Sequence, residues 1–212
     1  MDRRVEVIPN FIDTKIFRPV PNPRARCRLG GADEKIIMHI SNFRPVKNIE
    51  AVVAVFAGIV PRVKSRLVLI GDGPELARAD AIARELGIYD RVNFLGNQEF
   101  IEELLPAADL FLLPSHHESF GLVALEAMSA GVPVIATNQG GPVEVIDDGR
   151  TGYLRAPDDV PGMVSAALEV LGDRARAIHM GEAARRVAVE TYDTDRVVPR
   201  YVDFYRATLE SI

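Results

Sequence analysis

This 212-residue sequence has a single cysteine and no long apolar run. Its single cysteine, Cys27, excludes an internal disulfide and favours a reducing cytoplasm. No window approaches the roughly 18–20 apolar residues that span a bilayer, and the N-terminus has no apolar run of signal-peptide length. The sequence therefore predicts a cytoplasmic protein without a membrane span.

An excess of positive charge is also missing, and so are two nucleotide-binding motifs. The formal net charge is -5 with both signs interspersed, so no basic field attracts nucleic acid. No strand is followed by the dinucleotide fingerprint G-x-G-x-x-G or by the phosphate-binding G-x-x-x-x-G-K-[ST]. We therefore expect no nucleic-acid partner and neither of these two common nucleotide sites.

Short apolar runs alternate with amphipathic segments from residue 36 onward, which predicts an α/β fold. With 48% hydrophobic residues, the chain can bury a sizeable core. Six strands, each followed by a helix, favour a Rossmann-like, doubly wound parallel sheet. The predicted strands are 36–40, 67–70, 92–95, 110–113, 132–136 and 152–154. The predicted helices are 48–60, 74–86, 100–108, 121–130 and 143–147, with extra C-terminal helices at 158–171, 173–191 and 196–209.

The N-terminal segment has the pattern of a connection between domains. Residues 5–9 fit a short strand, and four prolines between positions 9 and 23 argue against regular structure. We predict a linker over 1–25, a ligand-binding body over 26–192 and a C-terminal helix over 193–212. Because a globular protein seldom begins with a linker, we expect the chain to be a piece of a longer protein.

The strand order locates the expected ligand site. In open parallel sheets, ligands bind outside the carboxyl ends of the strands, where the strand order reverses. With the common order 3-2-1-4-5-6, this point lies between the first and fourth strands. The loops there, 41–47 and 114–121, carry the most unusual polar residues of the chain. The crevice between these loops is therefore the predicted site.

The first of these loops holds two cations, Arg44 and Lys47, just before a helix N-terminus. Backbone N–H groups and the helix dipole favour anions there, so the pair fits a clamp for a phosphate or diphosphate. Two solvated cations on an exposed turn would give the same pattern. The crevice position favours the clamp.

Glu126 is the only charged residue between Glu118 and Glu144, and it lies in an apolar helix. Burying an unpaired carboxylate is costly, and this helix offers no Arg or Lys. A polyhydroxyl ligand is therefore a candidate partner. Gly121 allows a sharp turn into the helix, after which the amides of 120–123 are free donors for sugar hydroxyls or a phosphate.

Three other motifs have simpler interpretations. His116 and His117 are neighbours whose side chains point apart, and no third ligand follows at suitable spacing, so we expect no metal site. The turn 71–74 fits a helix cap or a wall of the crevice. Gly140-Gly141-Pro142 fits a flexible turn near it.

Residues 114–128 read Pro-Ser-His-His-Glu-Ser-Phe-Gly-Leu-Val-Ala-Leu-Glu-Ala-Met. They resemble the E-x7-E signature of the retaining GT-B glycosyltransferases of family 4, with Glu118 and Glu126 as its glutamates. Residues 7–13 resemble the family's interdomain crossover, and 71–74, 92–96 and 140–146 match further family segments in order. The resemblance implies the C-terminal, donor-binding half of a two-domain enzyme. Its partner would be a missing N-terminal Rossmann-like domain, and this half alone would be inactive.

The resemblance also implies roles for single residues. Glu126 would bind the ribose of a nucleoside diphosphate sugar, and Glu118 would hold the transferred sugar. Lys47 would meet the diphosphate, where the family has an Arg at the position of Asn42 and this chain offers Arg44 instead. The full implied set is Asn42, Arg44, Lys47, Gly73, Leu95, Glu118, Phe120, Gly121, Leu122, Val123 and Glu126.

The implied donor is a UDP-sugar, bound without a metal cofactor because cations and amides neutralise the diphosphate. Segments 9–13 and 41–47 resemble a branch of the family that transfers N-acetylglucosamine from UDP-N-acetylglucosamine to L-malate. Other hexosyltransferases acting on a glycan or lipid acceptor, a sugar-nucleotide 2-epimerase of GT-B build, and a non-catalytic doubly wound module stay open as alternatives. So does a homodimer.

Overall fold

Six parallel strands form one sheet in the computed structural model, which describes residues 5–210. The strands are β1 (Lys35–Ile40), β2 (Ser65–Ile70), β3 (Val92–Gly96), β4 (Leu110–Leu113), β5 (Val134–Thr137) and β6 (Tyr153–Arg155). Their order is β3-β2-β1-β4-β5-β6. Each neighbouring pair is parallel, so the predicted doubly wound sheet and its strand-order reversal are confirmed.

Helices cover both faces of the sheet. They are α1 (Pro23–Leu29), α2 (Ile49–Ile59), α3 (Leu76–Glu85), α4 (Ile101–Leu104), α5 (Leu122–Ser129), α6 (Pro142–Val145), α7 (Val160–Gly172), α8 (Arg174–Thr191) and α9 (Thr194–Glu210). The helix predicted over 100–108 stops at α4, and a 3-10 turn, Leu105–Ala107, follows because Pro106 lacks the amide that an α-helix needs. Between residues 5 and 210, no helix is both long and apolar enough to cross a bilayer.

Two predictions for the N-terminal segment are wrong. Residues 5–9 form no strand, because none of the six strands pairs with them. Val5 and Val7 are therefore exposed. The prolines do not exclude regular structure either. Pro23 takes the first position of α1, where a missing N–H is tolerated, and the Asn22 side chain accepts from the Ala25 amide at 3.1 Å.

Apolar residues of the strands alternate between two buried clusters, one on each face of the sheet. On β4, Phe111 and Leu113 belong to one cluster, whereas Leu110 and Leu112 belong to the other. This follows from the two-residue period of a strand and from helices on both faces. The register pairs Met38 of β1 with Phe111 of β4. The carboxyl ends of β1 and β4 therefore lie side by side at the rim of a rigid core.

Two segments of the chain, residues 12–14 and 192–194, meet at the start of α9. The Ile12 amide donates to the Tyr192 carbonyl at 3.0 Å, and the Thr194 amide donates to the Ile12 carbonyl at 2.9 Å. The carboxylate of Asp193, which is buried, accepts from the Thr14 amide at 3.2 Å and also from the Thr14 hydroxyl. Residues 12–14 and 192–194 are thus held together as one unit.

Candidate functional site

A cleft of about 460 Å³ lies at the carboxyl ends of β1 and β4, at the strand-order reversal. The residues that line it are Asn10, Ile40, Ser41, Asn42, Lys47, Ile101, Glu118, Ser119, Phe120, Gly121, Leu122, Val123 and Glu126. All of the predicted site residues are in this set except Arg44, Gly73 and Leu95. The structure therefore brings most of the predicted site together in one place.

The N-terminus of α5 opens into this cleft. Gly121 precedes the helix with a φ of 87°, a left-handed conformation in which a side chain would be strained. The sharp turn sends the chain from the β4 loop straight into α5. The first amides of an α-helix have no acceptor within it, so those of Leu122 and Val123 remain as donors on the cleft wall.

Lys47 and Glu118 form an ion pair on the floor of the cleft. The Lys47 Nζ lies 2.7 Å from Glu118 Oε2, and the two side chains are only 19% and 13% exposed. The Ser115 hydroxyl donates to the same oxygen at 3.2 Å. Because this pair is largely shielded from water, its attraction is stronger than that of a surface pair.

Backbone contacts hold the two loops that carry this pair. The His116 amide donates to the Val46 carbonyl at 2.8 Å. The Asn48 side-chain amide donates to the Pro114 and Pro157 carbonyls, each at 3.1 Å, and Asn48 itself has a left-handed φ of 52°. Asn48 is a positioning residue that the sequence analysis missed. Its signal was an asparagine directly before a helix, a residue that both caps helices and tolerates this φ.

The Gly140-Gly141 turn packs against the backbone of the β4 loop. The Gly141 amide donates to the Glu118 carbonyl at 2.8 Å. A Cβ on Gly140 would overlap the Glu118 carbonyl oxygen, and one on Gly141 would overlap Phe120 Cα. The sequence predicts a flexible turn here. Its glycines instead allow two backbones to touch, which fixes Glu118 and Phe120 relative to β5.

Glu126 is half-buried in the cleft and unpaired. Within residues 5–210, no hydrogen bond or ion pair reaches its carboxylate, as expected from its apolar helix. Burial, with a further contribution from the negative charge of Glu102, raises the pKa of Glu126 to about 7. The carboxyl group is therefore close to half-ionised at neutral pH and has room for a donor from outside the protein.

His39 is a buried histidine that the sequence analysis did not single out, although it interrupts an apolar strand. Its ring bridges the Leu112 carbonyl and the Ser41 hydroxyl, at 2.8 Å on each side. Burial lowers the pKa of His39 to about 4. The hydrogen bond to the Leu112 carbonyl raises the pKa, and the positive charge of Lys47 lowers it, but both effects are smaller than that of burial. The ring is neutral at pH 7 and holds Ser41, which accepts from the Phe43 amide at 3.2 Å.

Three predicted residues lie outside the cleft lining. Phe43 is fully buried with a left-handed φ of 37°, and Arg44, which follows it, is exposed. Gly73 packs against the Asn42 carbonyl and so supports the loop 41–47. Leu95 is partly buried against the core. The predicted clamp of two cations is thus reduced to Lys47.

No group of three or more His, Cys, Asp or Glu side chains within 5–210 is arranged to hold a metal ion. His116 is exposed and lies 3.9 Å from a carboxylate oxygen of Asp158, which is exposed as well. A metal-independent donor site stays a prediction. The cleft also includes Asn10, Ser41, Ile101 and Ser119, which the sequence analysis did not propose.

Comparison with known sequences gives a consistent family. The family model described as "Glycosyl transferases group 1" matches residues 28–187. The N-acetyl-alpha-D-glucosaminyl L-malate synthase of Bacillus anthracis is 42% identical over 205 residues, which are 96% of this chain and 54% of that protein. The D-inositol 3-phosphate glycosyltransferase of Nocardia farcinica is 39% identical over 84% of this chain and 42% of its own length.

Comparison with solved structures gives the same fold. Sucrose-phosphate synthase from Thermosynechococcus elongatus has a TM-score of 0.89 at 30% identity and covers 98% of this chain and 53% of its own. Anabaena Alr3699/HepE in complex with UDP has a TM-score of 0.88 at 26% identity and covers 98% of this chain and 57% of its own.

A doubly wound parallel sheet with a cleft at its strand-order reversal is the Rossmann-like fold of GT-B glycosyltransferases. The chain belongs to the group 1 glycosyl transferases, which confirms the resemblance found in its sequence. It spans about half the length of the curated relatives it matches.

Proposed function

We propose that this chain is the donor-binding half of a retaining glycosyltransferase, and that the donor is a UDP-sugar. One observation carries the proposal. A cation, Lys47, the open N-terminus of α5 and two carboxylates, Glu118 and Glu126, line a single cleft. A nucleoside diphosphate sugar presents an anion between two sets of hydroxyl groups, and this cleft offers complementary groups for all three parts.

Each part of the donor has a matching group. The diphosphate would lie against Lys47 and the amides of Leu122 and Val123, where the helix dipole favours negative charge. The unpaired carboxylate of Glu126 would accept hydrogen bonds from the ribose. Glu118, in the loop after β4, would accept hydrogen bonds from the hydroxyls of the transferred sugar.

The reaction develops negative charge on the departing diphosphate and positive charge on the sugar. Lys47 and the α5 amides are preorganised to stabilise the first charge, because the loop contacts hold them in place before the donor arrives. These groups would neutralise the diphosphate without a metal ion. Arg44 is exposed outside the cleft lining, so the proposal assigns the diphosphate to Lys47 and the α5 amides.

Similarity favours particular substrates. The N-acetyl-alpha-D-glucosaminyl L-malate synthase of Bacillus anthracis matches 96% of this chain, which favours UDP-N-acetylglucosamine as donor and L-malate as acceptor. Relatives of other specificity, such as the D-inositol 3-phosphate glycosyltransferase of Nocardia farcinica, favour a hexosyltransferase with another acceptor as the second candidate.

A second domain would complete the active site. Tyr205 and Leu209 of α9 are 61% and 72% exposed, and Val197 is buried. Such a helix, anchored at its start and carrying exposed apolar side chains near its end, suits packing against a partner domain. We infer the division into a linker over 1–25, a body over 26–192 and a C-terminal helix over 193–212, and we expect no sugar transfer by this chain alone.

Thermal unfolding in the presence of UDP, GDP or ADP tests the donor site. A ligand at one hundred times its Kd stabilises a protein by about 2.7 kcal/mol, so UDP should raise the Tm of the parent chain by several degrees. Glu126→Ala should lose most of this rise. Glu144→Ala, which removes an exposed carboxylate outside the cleft, should keep it. A parent Tm that UDP does not raise would contradict the proposal.

A further inference from the structure

An ion pair joins Lys47, the residue proposed to bind the diphosphate, directly to Glu118, the residue proposed to bind the sugar. The two groups are 2.7 Å apart and largely buried. Within the described residues, Lys47 has no other ion-pair partner, and the only other hydrogen bond to the Glu118 carboxylate comes from the Ser115 hydroxyl. Each of the two charges is therefore balanced mainly by the other.

A diphosphate and Glu118 compete for the same ammonium group. The diphosphate carries more charge and also meets the α5 amides, so it can displace the carboxylate from Lys47. The displaced Glu118 would keep only Ser115 as a donor, and an uncompensated carboxylate in a shielded place is costly. Sugar hydroxyls next to the diphosphate would supply the missing donors.

We propose that Glu118 is a built-in substitute anion, which holds Lys47 in the empty site and moves to the donor sugar when the diphosphate arrives. This proposal rests on the proposed function. Its consequence is selectivity for the intact donor. UDP-sugar satisfies both Lys47 and Glu118, whereas UDP satisfies Lys47 and leaves Glu118 unpaired. After sugar transfer, Glu118 would return to Lys47 and help to expel UDP.

The test compares the affinities of UDP and UDP-N-acetylglucosamine for the 212-residue chain and for Glu118→Gln, by isothermal titration calorimetry. Glutamine has the same shape but no charge, so the variant should bind UDP about threefold to tenfold more tightly than the parent. The preference for UDP-N-acetylglucosamine over UDP should shrink. If Glu118 only touches the sugar, UDP affinity stays the same, and if it only supports the loop, UDP affinity falls. Either result overturns the proposal.

A double-mutant cycle separates exchange from simple repulsion between Glu118 and the diphosphate. In a Lys47→Met background there is no ion pair to break, so adding Glu118→Gln should leave UDP affinity unchanged. A gain as large as in the parent background would show repulsion alone and contradict the exchange. Glu118→Asp, which keeps the charge but has a shorter reach to Lys47, provides a second comparison in case Glu118→Gln does not fold, and it too should bind UDP more tightly.

The same titrations distinguish failure of this proposal from failure of the donor site. No binding of UDP to the parent or to Glu118→Gln contradicts the proposed function and the exchange together. UDP binding with equal affinity in both chains contradicts the exchange and leaves the donor site intact. Circular dichroism spectra and Tm values of each variant confirm that folded proteins are compared.

Discussion

His39 should make the protein sensitive to mild acid. Its pKa is about 4 in the folded chain and 6.5 in a model peptide, and its ring is fully buried between β1 and β4. As the pH falls below 6.5, the unfolded chain takes up a proton that the folded chain refuses. Stability contributed by the neutral ring is therefore complete above pH 6.5, declines as the pH falls, and is lost near pH 4.

The size of the effect follows from the two pKa values of His39. Each pKa unit corresponds to about 1.4 kcal/mol, so the full loss is about 3 kcal/mol, of which about 2 kcal/mol appears between pH 8 and pH 5. Urea unfolding at these two pH values measures it. Other groups titrate in any variant, so the parent must be compared with His39→Gln, whose amide can still bridge the Leu112 carbonyl and the Ser41 hydroxyl.

We expect the parent to lose about 2 kcal/mol more than His39→Gln between pH 8 and pH 5. The absolute stability of the variant at pH 8 does not enter, since only the change with pH is compared. Equal losses in the two chains would refute the reasoning, because they would mean that His39 takes up its proton without unfolding.

Three further predictions concern the cleft. Under the proposed function, the ribose binds the ionised form of Glu126, whose pKa is about 7, so UDP-N-acetylglucosamine should bind about tenfold more weakly at pH 6 than at pH 8. Calorimetry of Glu126→Gln should show no such dependence on pH. Gly141→Ala should cost about 2 kcal/mol in urea unfolding through overlap with Phe120, whereas Gly172→Ala, in open space, should cost little. Asn48→Ala should cost about 2 kcal/mol through two lost hydrogen bonds and its left-handed φ, and a Tm within a degree of the parent would contradict this.

The sheet could be predicted from sequence because its strands are buried on both faces and read as short apolar runs. The same signal misled at residues 5–9, where alternating valines look like a strand although no neighbouring strand pairs with them. Local pattern carries no information about the presence of a pairing partner. Pro23 gave the opposite error, since the prolines predicted no regular structure where α1 begins. Proline disrupts a helix interior but suits a helix start.

The candidate site was predictable where the chemistry of a residue contradicts its surroundings. Glu126 in an apolar helix and Lys47 before a helix N-terminus both lie in the cleft. The direction of Arg44 was not predictable, because it depends on the local backbone, in which the preceding Phe43 is buried with a left-handed φ. The ion pair of Lys47 with Glu118 joins two loops far apart in sequence, and no local pattern reports such a contact.

The junction of Ile12 with Tyr192 and Thr194 makes the intervening body a cassette. The chain enters and leaves this body at points joined by hydrogen bonds of 3.0 Å and 2.9 Å. Two cuts at these neighbouring points would release the whole sheet with every cleft residue except Asn10, and the ends would need little new chain to join a host, as in natural domain insertions. Such bodies could therefore be exchanged between members of the family at a single seam.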